Sequence, residues 1–116
     1  MQYMLLIYNE PSGWESMPAE QQQQVYEAYG TFTEELSSSG KLVSGDALQP
    51  ITTATSIRVR DGETLTTDGP FAETKEVLGG YYTIEAANYD EAVKLALGHP
   101  HLEHGGTIEV RAVWTM

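Results

Sequence analysis

The segment TTDGPFAETKEVLGGYY, at residues 66–82, contains side chains of the types that carry proton-transfer chemistry. Asp68, Glu73 and Lys75 lie close together within it, and Glu76 follows at once. A lysine flanked by carboxylates in a partly closed cleft has a shifted pKa and can shuttle protons. We therefore take Asp68, Glu73 and Lys75 as candidate substrate-binding residues.

The same segment also has a structural interpretation. Asp-Gly at 68–69 favours a turn, Pro70 fixes the backbone angle φ, and Phe71 can fill the core. Gly79 and Gly80 would allow a β-bulge or close packing. We prefer the structural role for Pro70 and Phe71. For Asp68, Glu73 and Lys75, substrate binding and a structural role in the scaffold both stay open.

Three further residues form a second candidate group: Tyr29, Asp46 and His99. A phenol, a carboxylate and an imidazole brought together would suit general acid–base catalysis on a small polar molecule. Each also has a structural explanation, as a core tyrosine, a turn-capping aspartate and a cation at a helix C-terminus. As a set, they are our candidate catalytic residues.

All three histidines of the chain fall within HPHLEH, at residues 99–104. Imidazole and carboxylate side chains can bind a transition metal. His99, His101 and His104 do not form a helical i, i+4 pair, however, and Pro100 leaves their geometry undefined. The sequence does not decide whether these histidines bind a metal, and we assign no metal site.

Several motifs of well-known catalytic machinery are absent from the sequence. It contains no G-x-G-x-x-G, P-loop, G-x-S-x-G or H-E-x-x-H pattern. We therefore expect no nucleotide or redox cofactor, and any enzymatic activity is predicted to be cofactor-free.

Composition and charge exclude several classes of partner. The 116 residues include 17 Asp and Glu against six Lys and Arg, which gives a formal net charge of −11. Such a surface repels phosphate backbones, so nucleic-acid binding is not expected. The absence of cysteine excludes disulfides and thiolate chemistry. The apolar run at residues 3–8 is too short for a signal peptide or a membrane span, so a cytoplasmic protein is expected.

Hydrophobic periodicity and turn residues define the elements that must position these groups. The predicted elements are a strand at 2–8, a loop at 9–17, a helix from Pro18 that stops at Gly40, a strand at 41–48, a hairpin of strands at 55–60 and 64–67, a strand at 78–86, a helix capped by Asn88 with Glu91, and a strand at 107–114. In the hairpin, Ile57 and Val59 are expected to point inward. The buried face of the last helix is expected to be Ala92, Val93, Ala96 and Leu97, and one side of the last strand to be lined by Ile108, Val110, Ala112 and Trp114.

This order predicts an α+β fold of the ferredoxin-like βαββαβ type with an extra β-hairpin, in one domain spanning residues 1–116. Right-handed crossovers place both helices on one face of the sheet. The first strand is nevertheless apolar on both faces, with Tyr3, Leu5 and Ile7 alternating with equally apolar neighbours. We expect the second face to pack on another subunit, in a homodimer with an α/β-barrel-like assembly.

Six stretches of the chain match the pattern of a known family. They are DGPF at 68–71, AETKE at 72–76, Gly79-Gly80, the opening YMLLIYNE, the segment AYGTFTEELSSSGKLVSGDALQP and the ending GGTIEVR. In these stretches the chain resembles DGPF-domain proteins, a branch of the YCII-related superfamily. The resemblance spans essentially the whole chain and implies a ferredoxin-like fold and dimerisation.

The resemblance also bears on the site. The superfamily pattern has a histidine in the first helix and Asp-Pro after the second. In this chain Tyr29 and His99-Pro100 take those places, so a Tyr29/His99 pair replaces the His/Asp pair. The resulting hypothesis is a cleft for a small polar molecule with cofactor-free elimination or isomerisation.

A different class of function stays open beside the catalytic one. Relatives are often encoded beside, or fused to, extracytoplasmic-function sigma factors, so the resemblance also allows a non-catalytic interaction or regulatory protein. The acidic surface would then meet a basic protein partner.

Overall fold

Six strands and three α-helices form the described part of the chain, residues 1–68 and 76–115 of the computed structural model. The elements are β1 (Gln2–Asn9), α1 (Pro11–Glu15), α2 (Ala19–Ser38), β2 (Leu42–Ala47), β3 (Thr55–Arg60), β4 (Glu63–Asp68), β5 (Val77–Glu85), α3 (Tyr89–Leu97) and β6 (Thr107–Ala112). Two short 3-10 turns lie at Ile51–Thr53 and Pro100–His104.

Four of the strands form one antiparallel sheet in the order β2-β5-β1-β6. This is the strand order of a ferredoxin-like sheet, with α2 and α3 as the connections between its outer and inner strands. The remaining strands, β3 and β4, pair only with each other, as a hairpin inserted between β2 and β5. The predicted α+β fold with an extra hairpin is confirmed.

The core lies between the sheet and the two long helices. Side chains alternate along β1, and the face that meets the helices carries Tyr3, Leu5 and Ile7, all buried. Leu5 is fully buried, and so is Ile84 of β5. The helices contribute buried apolar residues at helical spacing: Val25, Phe32, Leu36, Ala92 and Ala96. We call this side of the sheet the inner face.

The opposite side, the outer face, carries Met4, Leu6 and Tyr8 of β1, which are half-buried in the single chain. Tyr81 of β5 pairs with Leu6 and so shares this face. The two-sided apolar pattern of β1 therefore has one side in the core, as predicted, and a second side that the described helices do not cover.

The C-terminus of α2 follows the predicted stop signal. Ser39 is the C-cap and Gly40 follows with φ of 75°, a conformation that strains residues with a Cβ. The N–H of Lys41 donates to the carbonyl of Leu36 at 3.0 Å, and the N–H of Gly40 donates to Ser37 at 3.1 Å. These two bonds are a Schellman motif, so the prediction that Gly40 ends the helix is confirmed.

Asn88 caps α3 as predicted, with Oδ1 accepting from the N–H of Glu91 at 2.9 Å. The reciprocal bond differs from the capping box, because the Glu91 carboxylate accepts from the N–H of Ala87. Lys41 also donates to this carboxylate at 2.8 Å. The Lys41 bond and then the Ala87 bond lower the pKa of Glu91 below its usual value.

Two local predictions are wrong. Part of the expected loop at 9–17 forms helix α1, because Pro11 suits a first helical turn and Trp14 packs edge-on against Tyr26 of α2 at 5.2 Å. Ile57 and Val59 of β3 were expected to point into the core and are 68% and 67% exposed. Their hairpin lies apart from the four-stranded sheet, so no described layer covers that face.

Two expected apolar faces at the end of the chain are also less buried than predicted. In α3, Leu97 is 66% exposed and Val93 is 37% exposed, and only the alanines of the expected face are buried. The last strand ends at Ala112, before Trp114, which is 86% exposed.

Each of β2 and β5 contains an irregularity that shifts its register. Opposite β1, Ile7 pairs with Gly80 and Tyr8 with Leu78, which leaves Gly79 as an extra residue. A β-bulge of this kind exchanges the faces of the residues on its two sides. In β2 the extra residue is Val43, between Leu42 and Ser44. Both bulges lie in the strands that border the cleft described below.

No helix within residues 1–68 and 76–115 is both long and apolar enough to cross a membrane.

Candidate functional site

A cleft of about 770 Å³ lies where α1 and α2 meet the ends of β2 and β5. Its walls are rich in aromatic and apolar side chains. The aromatic residues that line it are Trp14, Tyr26, Tyr29, Tyr81 and Tyr82, with His99 and His101 beside them. Pockets for small molecules typically have this size and this mostly apolar lining.

His99 is the most deeply buried polar residue of the cleft, at 1% exposure. It follows Gly98, which ends α3, so the chain turns inward there and places the imidazole against α2. The ring lies among three aromatic rings, with centroid distances of 4.8 Å to Phe32, 5.0 Å to Tyr29 and 5.7 Å to Tyr82. Tyr29 and His99, which sequence reasoning paired, are therefore neighbours.

A hydrogen bond within the 3-10 turn fixes the tautomer of His99. The backbone N–H of His101 donates to Nδ1 of His99 at 3.0 Å. A nitrogen that accepts a hydrogen bond carries no proton, so neutral His99 has its proton on Nε2. This Nε2 is buried and has no hydrogen-bond partner among the described residues.

His101 connects the turn to α2. Its Nδ1 shares a hydrogen bond with the hydroxyl of Tyr29, and the two rings stack at a centroid distance of 5.9 Å. Nε2 of His101 is likewise buried with no partner among the described residues. Gly106 lies directly against this ring, since a Cβ at that position would overlap Cδ2 of His101. Tyr29, His101 and His99 form one connected cluster.

Burial sets the protonation states of the cluster. Removal from water, followed by the nearby His101, lowers the pKa of His99 to about 4. Burial, and then the charge of His104, also lowers the pKa of His101. Burial together with Tyr82 and Tyr26 raises the pKa of Tyr29 to about 12. Both imidazoles and the phenol are therefore neutral near pH 7.

The expectation of a cation at the C-terminus of α3 is thus wrong for His99. A helix C-terminus does favour positive charge. At this position, however, the loss of hydration on burial outweighs that attraction, because a buried imidazolium has no compensating partner in the described structure.

Asp46 lies apart from this cluster. In the sheet it pairs with Tyr81, while its neighbour Gly45 pairs with Tyr82. Alternation therefore places Asp46 on the outer face, and its Oδ2 accepts a bond of 2.8 Å from the Tyr81 hydroxyl. That bond raises the pKa of Tyr81. Asp46 borders the cleft but is exposed, and no hydrogen bond joins it to Tyr29 or His99 in the described structure.

Of the charged candidates in the segment at 66–82, the structure describes only the backbone of Asp68. Asp68 is the last residue of β4, where its backbone pairs with Thr55. Its side chain, together with Glu73 and Lys75, lies outside the described residues, as do Pro70 and Phe71. Their assignment to substrate binding or scaffold stays a prediction.

Sequence reasoning missed the contact of His101 with Tyr29 and considered His101 only as a metal ligand. The His-Pro-His spacing was the available signal, because a proline suits the first position of a short helical turn. Among residues 1–68 and 76–115, no three His, Cys, Asp or Glu side chains come together as metal ligands would. Tyr82 was also missed, and its hydroxyl lies 3.0 Å from Oγ1 of Thr33.

The chain belongs to the YCII-related domain family, whose sequence model matches residues 1–116. It is 38% identical over 96 residues to the uncharacterized protein R00369 of Rhizobium meliloti (strain 1021), covering 83% of this chain and 77% of that protein.

Among solved structures, the chain is similar to the 5-chloro-2-hydroxyhydroquinone dehydrochlorinase TftG from Burkholderia phenoliruptrix AC1100, in complex with 2,5-dihydroxybenzoquinone. The TM-score is 0.57 over 99% of this chain and 94% of that one, at 16% identity. At that identity the likeness describes the fold.

Proposed function

We propose that this YCII-related protein binds a small, flat, hydroxylated ring compound in the cleft and catalyses a cofactor-free proton transfer, as in an elimination or an isomerisation. The observation that carries the proposal is the cluster of Tyr29, His101 and His99, three neutral acid–base groups at the wall of an aromatic cleft. A hydrogen bond joins the side chains of Tyr29 and His101, and a second runs from the backbone N–H of His101 to the ring of His99. General acid–base catalysis uses groups of these types within hydrogen-bond reach of the substrate.

The shape and lining of the cleft favour a ring compound. Aromatic rings attract one another in offset or edge-on arrangements, and Trp14, Tyr26 and Tyr82 supply such surfaces. The structural neighbour was solved with 2,5-dihydroxybenzoquinone, a flat ring with oxygen substituents. It is named a dehydrochlorinase, and dehydrochlorination removes a proton together with chloride. This comparison supports the reaction class and the choice of probe.

Tyr29 and His99 are proposed to be catalytic residues that contact the substrate. Asp46 is proposed to act at the rim of the cleft, where it holds Tyr81. Asp68, Glu73 and Lys75 are proposed to contact the polar groups of the substrate, since the strand that follows them, β5, begins with Val77 and Leu78, which line the cleft.

The proposal includes a homodimer of single-domain subunits. The half-buried residues Met4, Leu6 and Tyr8 of the outer face offer an apolar surface for a second subunit. Native mass spectrometry of the protein from its host would test this. A dimer supports the assembly, a discrete added mass supports a bound small molecule, and a monomer at micromolar concentration contradicts the dimer.

The ligand proposal is tested by titrating the purified protein with 2,5-dihydroxybenzoquinone in a calorimeter. We expect saturable binding that weakens about tenfold in Tyr29→Phe and in His99→Phe, because each change keeps a ring and removes the hydrogen-bonding group. Tyr89→Phe is the matched control, since Tyr89 bonds to the carbonyl of Val110 away from the cleft. Absence of binding, or equal affinity in all four proteins, would overturn the proposal.

A further inference from the structure

We propose a division of roles within the cluster: His99 donates a hydrogen bond from Nε2 to a substrate oxygen, while Tyr29 accepts the substrate proton and passes its own to His101. This inference rests on the proposed function and assigns its chemistry atom by atom. His99 is then an electrostatic stabiliser, and His101 is a positioning residue that stores the proton.

The donor role of His99 follows from the bond that occupies its other nitrogen. Nδ1 accepts from the backbone N–H of His101, and a backbone amide cannot reverse its role. The single proton of the neutral ring is therefore on Nε2. A buried N–H with no acceptor costs free energy, so a ligand oxygen that supplies the acceptor gains from the preorganised donor.

His99 is poorly suited to the role of base. Its Nδ1 lone pair is engaged, and Nε2 would have to lose a proton before it could accept another. Protonation of Nδ1 would also break the bond from His101 and create a charge among the rings of Tyr29, Phe32 and Tyr82.

Tyr29 and His101, unlike His99, are arranged to accept a proton. Tyr29 is half-buried and lines the cleft, and its hydroxyl is bonded to Nδ1 of His101. We assign the donor role in this bond to the phenol, whose one proton points to the imidazole nitrogen, so that its oxygen lone pairs are free to accept a proton from the cleft. No carboxylate of the described residues forms a hydrogen bond or ion pair with either imidazole.

The proposed step balances in protons and charge. A C–H or O–H bond of the substrate breaks and its proton bonds to the Tyr29 oxygen, while the O–H bond of Tyr29 breaks and that proton bonds to Nδ1 of His101. The products are a substrate anion, neutral Tyr29 and a His101 imidazolium. The bond from Nε2 of His99 stabilises the anion, and the reverse transfer returns the proton to a product or leaving group.

The first test needs no ligand. Long-range proton–nitrogen correlation spectra of the uniformly nitrogen-15-labelled protein at pH 7 report the tautomer of each histidine. We expect both His99 and His101 as neutral Nε2–H tautomers, with assignments from His99→Gln, His101→Gln and His104→Gln. In Tyr29→Phe, the His101 signals should move toward a mixture of tautomers while those of His99 stay in place.

Two results of this test would overturn the inference. One is His99 in the Nδ1–H or doubly protonated form at pH 7. The other is an unchanged His101 spectrum in Tyr29→Phe, since that would show no coupling between the two groups. Tyr89→Phe is the control for general effects of losing a phenol, and the backbone amide spectrum verifies that each variant is folded.

The second test adds 2,5-dihydroxybenzoquinone to the wild-type protein. Binding should shift the Nε2 and Hε2 signals of His99 and raise the pH at which His101 gains its second proton, because a bound anion favours a nearby cation. Binding that leaves both histidines unmoved overturns the inference and leaves the proposed function standing. Failure of the wild-type protein to bind overturns the proposed function, and the ligand roles of His99 and Tyr29 fail with it.

Discussion

The backbone N–H of His101 donates to the ring nitrogen Nδ1 of His99 across 3.0 Å, and this bond decides what His99 can do. It places the one proton of the buried ring on Nε2, so the imidazole presents a donor and no available base. In the proposed mechanism, His99 is therefore the hydrogen-bond donor, and the proton is stored on His101 of the same short turn.

The burial of His99 predicts a pH dependence of stability. Its pKa is about 4 in the folded protein, against 6.5 as the ordinary value, so between these pH values the unfolded chain binds the extra proton. Its contribution is therefore complete above pH 6.5 and is lost as pH falls toward 4. The loss at full protonation is about 3 kcal/mol. Urea unfolding of wild type and His99→Gln at several pH values between 7 and 4 measures it.

The quantity to compare in that experiment is the slope of unfolding free energy against pH. The wild type should lose stability more steeply than His99→Gln over this interval, whatever the absolute stability of the variant. Equal slopes would show that His99 is not buried as a neutral ring.

Gly106→Ala should displace His101. A Cβ at residue 106 would overlap the imidazole, which is held on its other side by Tyr29, so the ring must move or the turn must open. We expect a loss of about 1–3 kcal/mol, the usual cost of overpacking, together with altered nitrogen shifts of His101. Gly13→Ala is the control, because its Cβ would meet nothing within 4 Å. Unchanged His101 shifts in Gly106→Ala would count against the described turn.

Gly40 and Gly30 make a matched pair of glycine substitutions on α2. Gly40 has φ of 75°, so Gly40→Ala should destabilise the protein by about 1 kcal/mol. Gly30 is exposed within the helix and a Cβ there meets nothing within 4 Å, so Gly30→Ala should stabilise by up to about 1 kcal/mol. Thermal unfolding should show midpoints that move in opposite directions, and shifts of the same sign would contradict the assignment of the helix end.

Asn88→Ala should cost about 1 kcal/mol, because the side chain satisfies the N–H of Glu91 at the first turn of α3. Asn88→Ser keeps a capping oxygen and should recover most of that loss. Chemical denaturation of the two variants provides the comparison, and equal stability of the two would argue against a capping role.

Sequence predicted the elements well where the signals are local. The bounds of β3 at Thr55–Arg60, the stop at Gly40 and the cap at Asn88 all follow from turn and capping chemistry within a few residues. The exposure of Ile57 and Val59 could not be predicted, because alternation defines a face of the hairpin but not which layer, if any, packs on it.

The site was predicted only in part, because some of its contacts depend on how distant elements pack together. The proximity of Tyr29 and His99 follows from the family pattern, whereas the bond between Tyr29 and His101 depends on how a 3-10 turn packs against a distant helix. Asp46 was grouped with them because nothing local reveals the extra residue at Val43. That one residue transfers Asp46 to the outer face.

The number of residues in β2 therefore decides whether the Asp46 carboxylate faces the histidines of the cleft. Deletion of Val43 would remove the bulge and leave Asp46 opposite Tyr81. Deletion of Ser44 with the bulge kept would instead bring Asp46 opposite Tyr82, on the face of the sheet that meets His99. A single codon after the bulge thus separates the present neutral cluster from one with a built-in anion, which would hold an imidazolium in place. Insertions and deletions in this strand are a route by which proteins of this fold could exchange one acid–base mechanism for another.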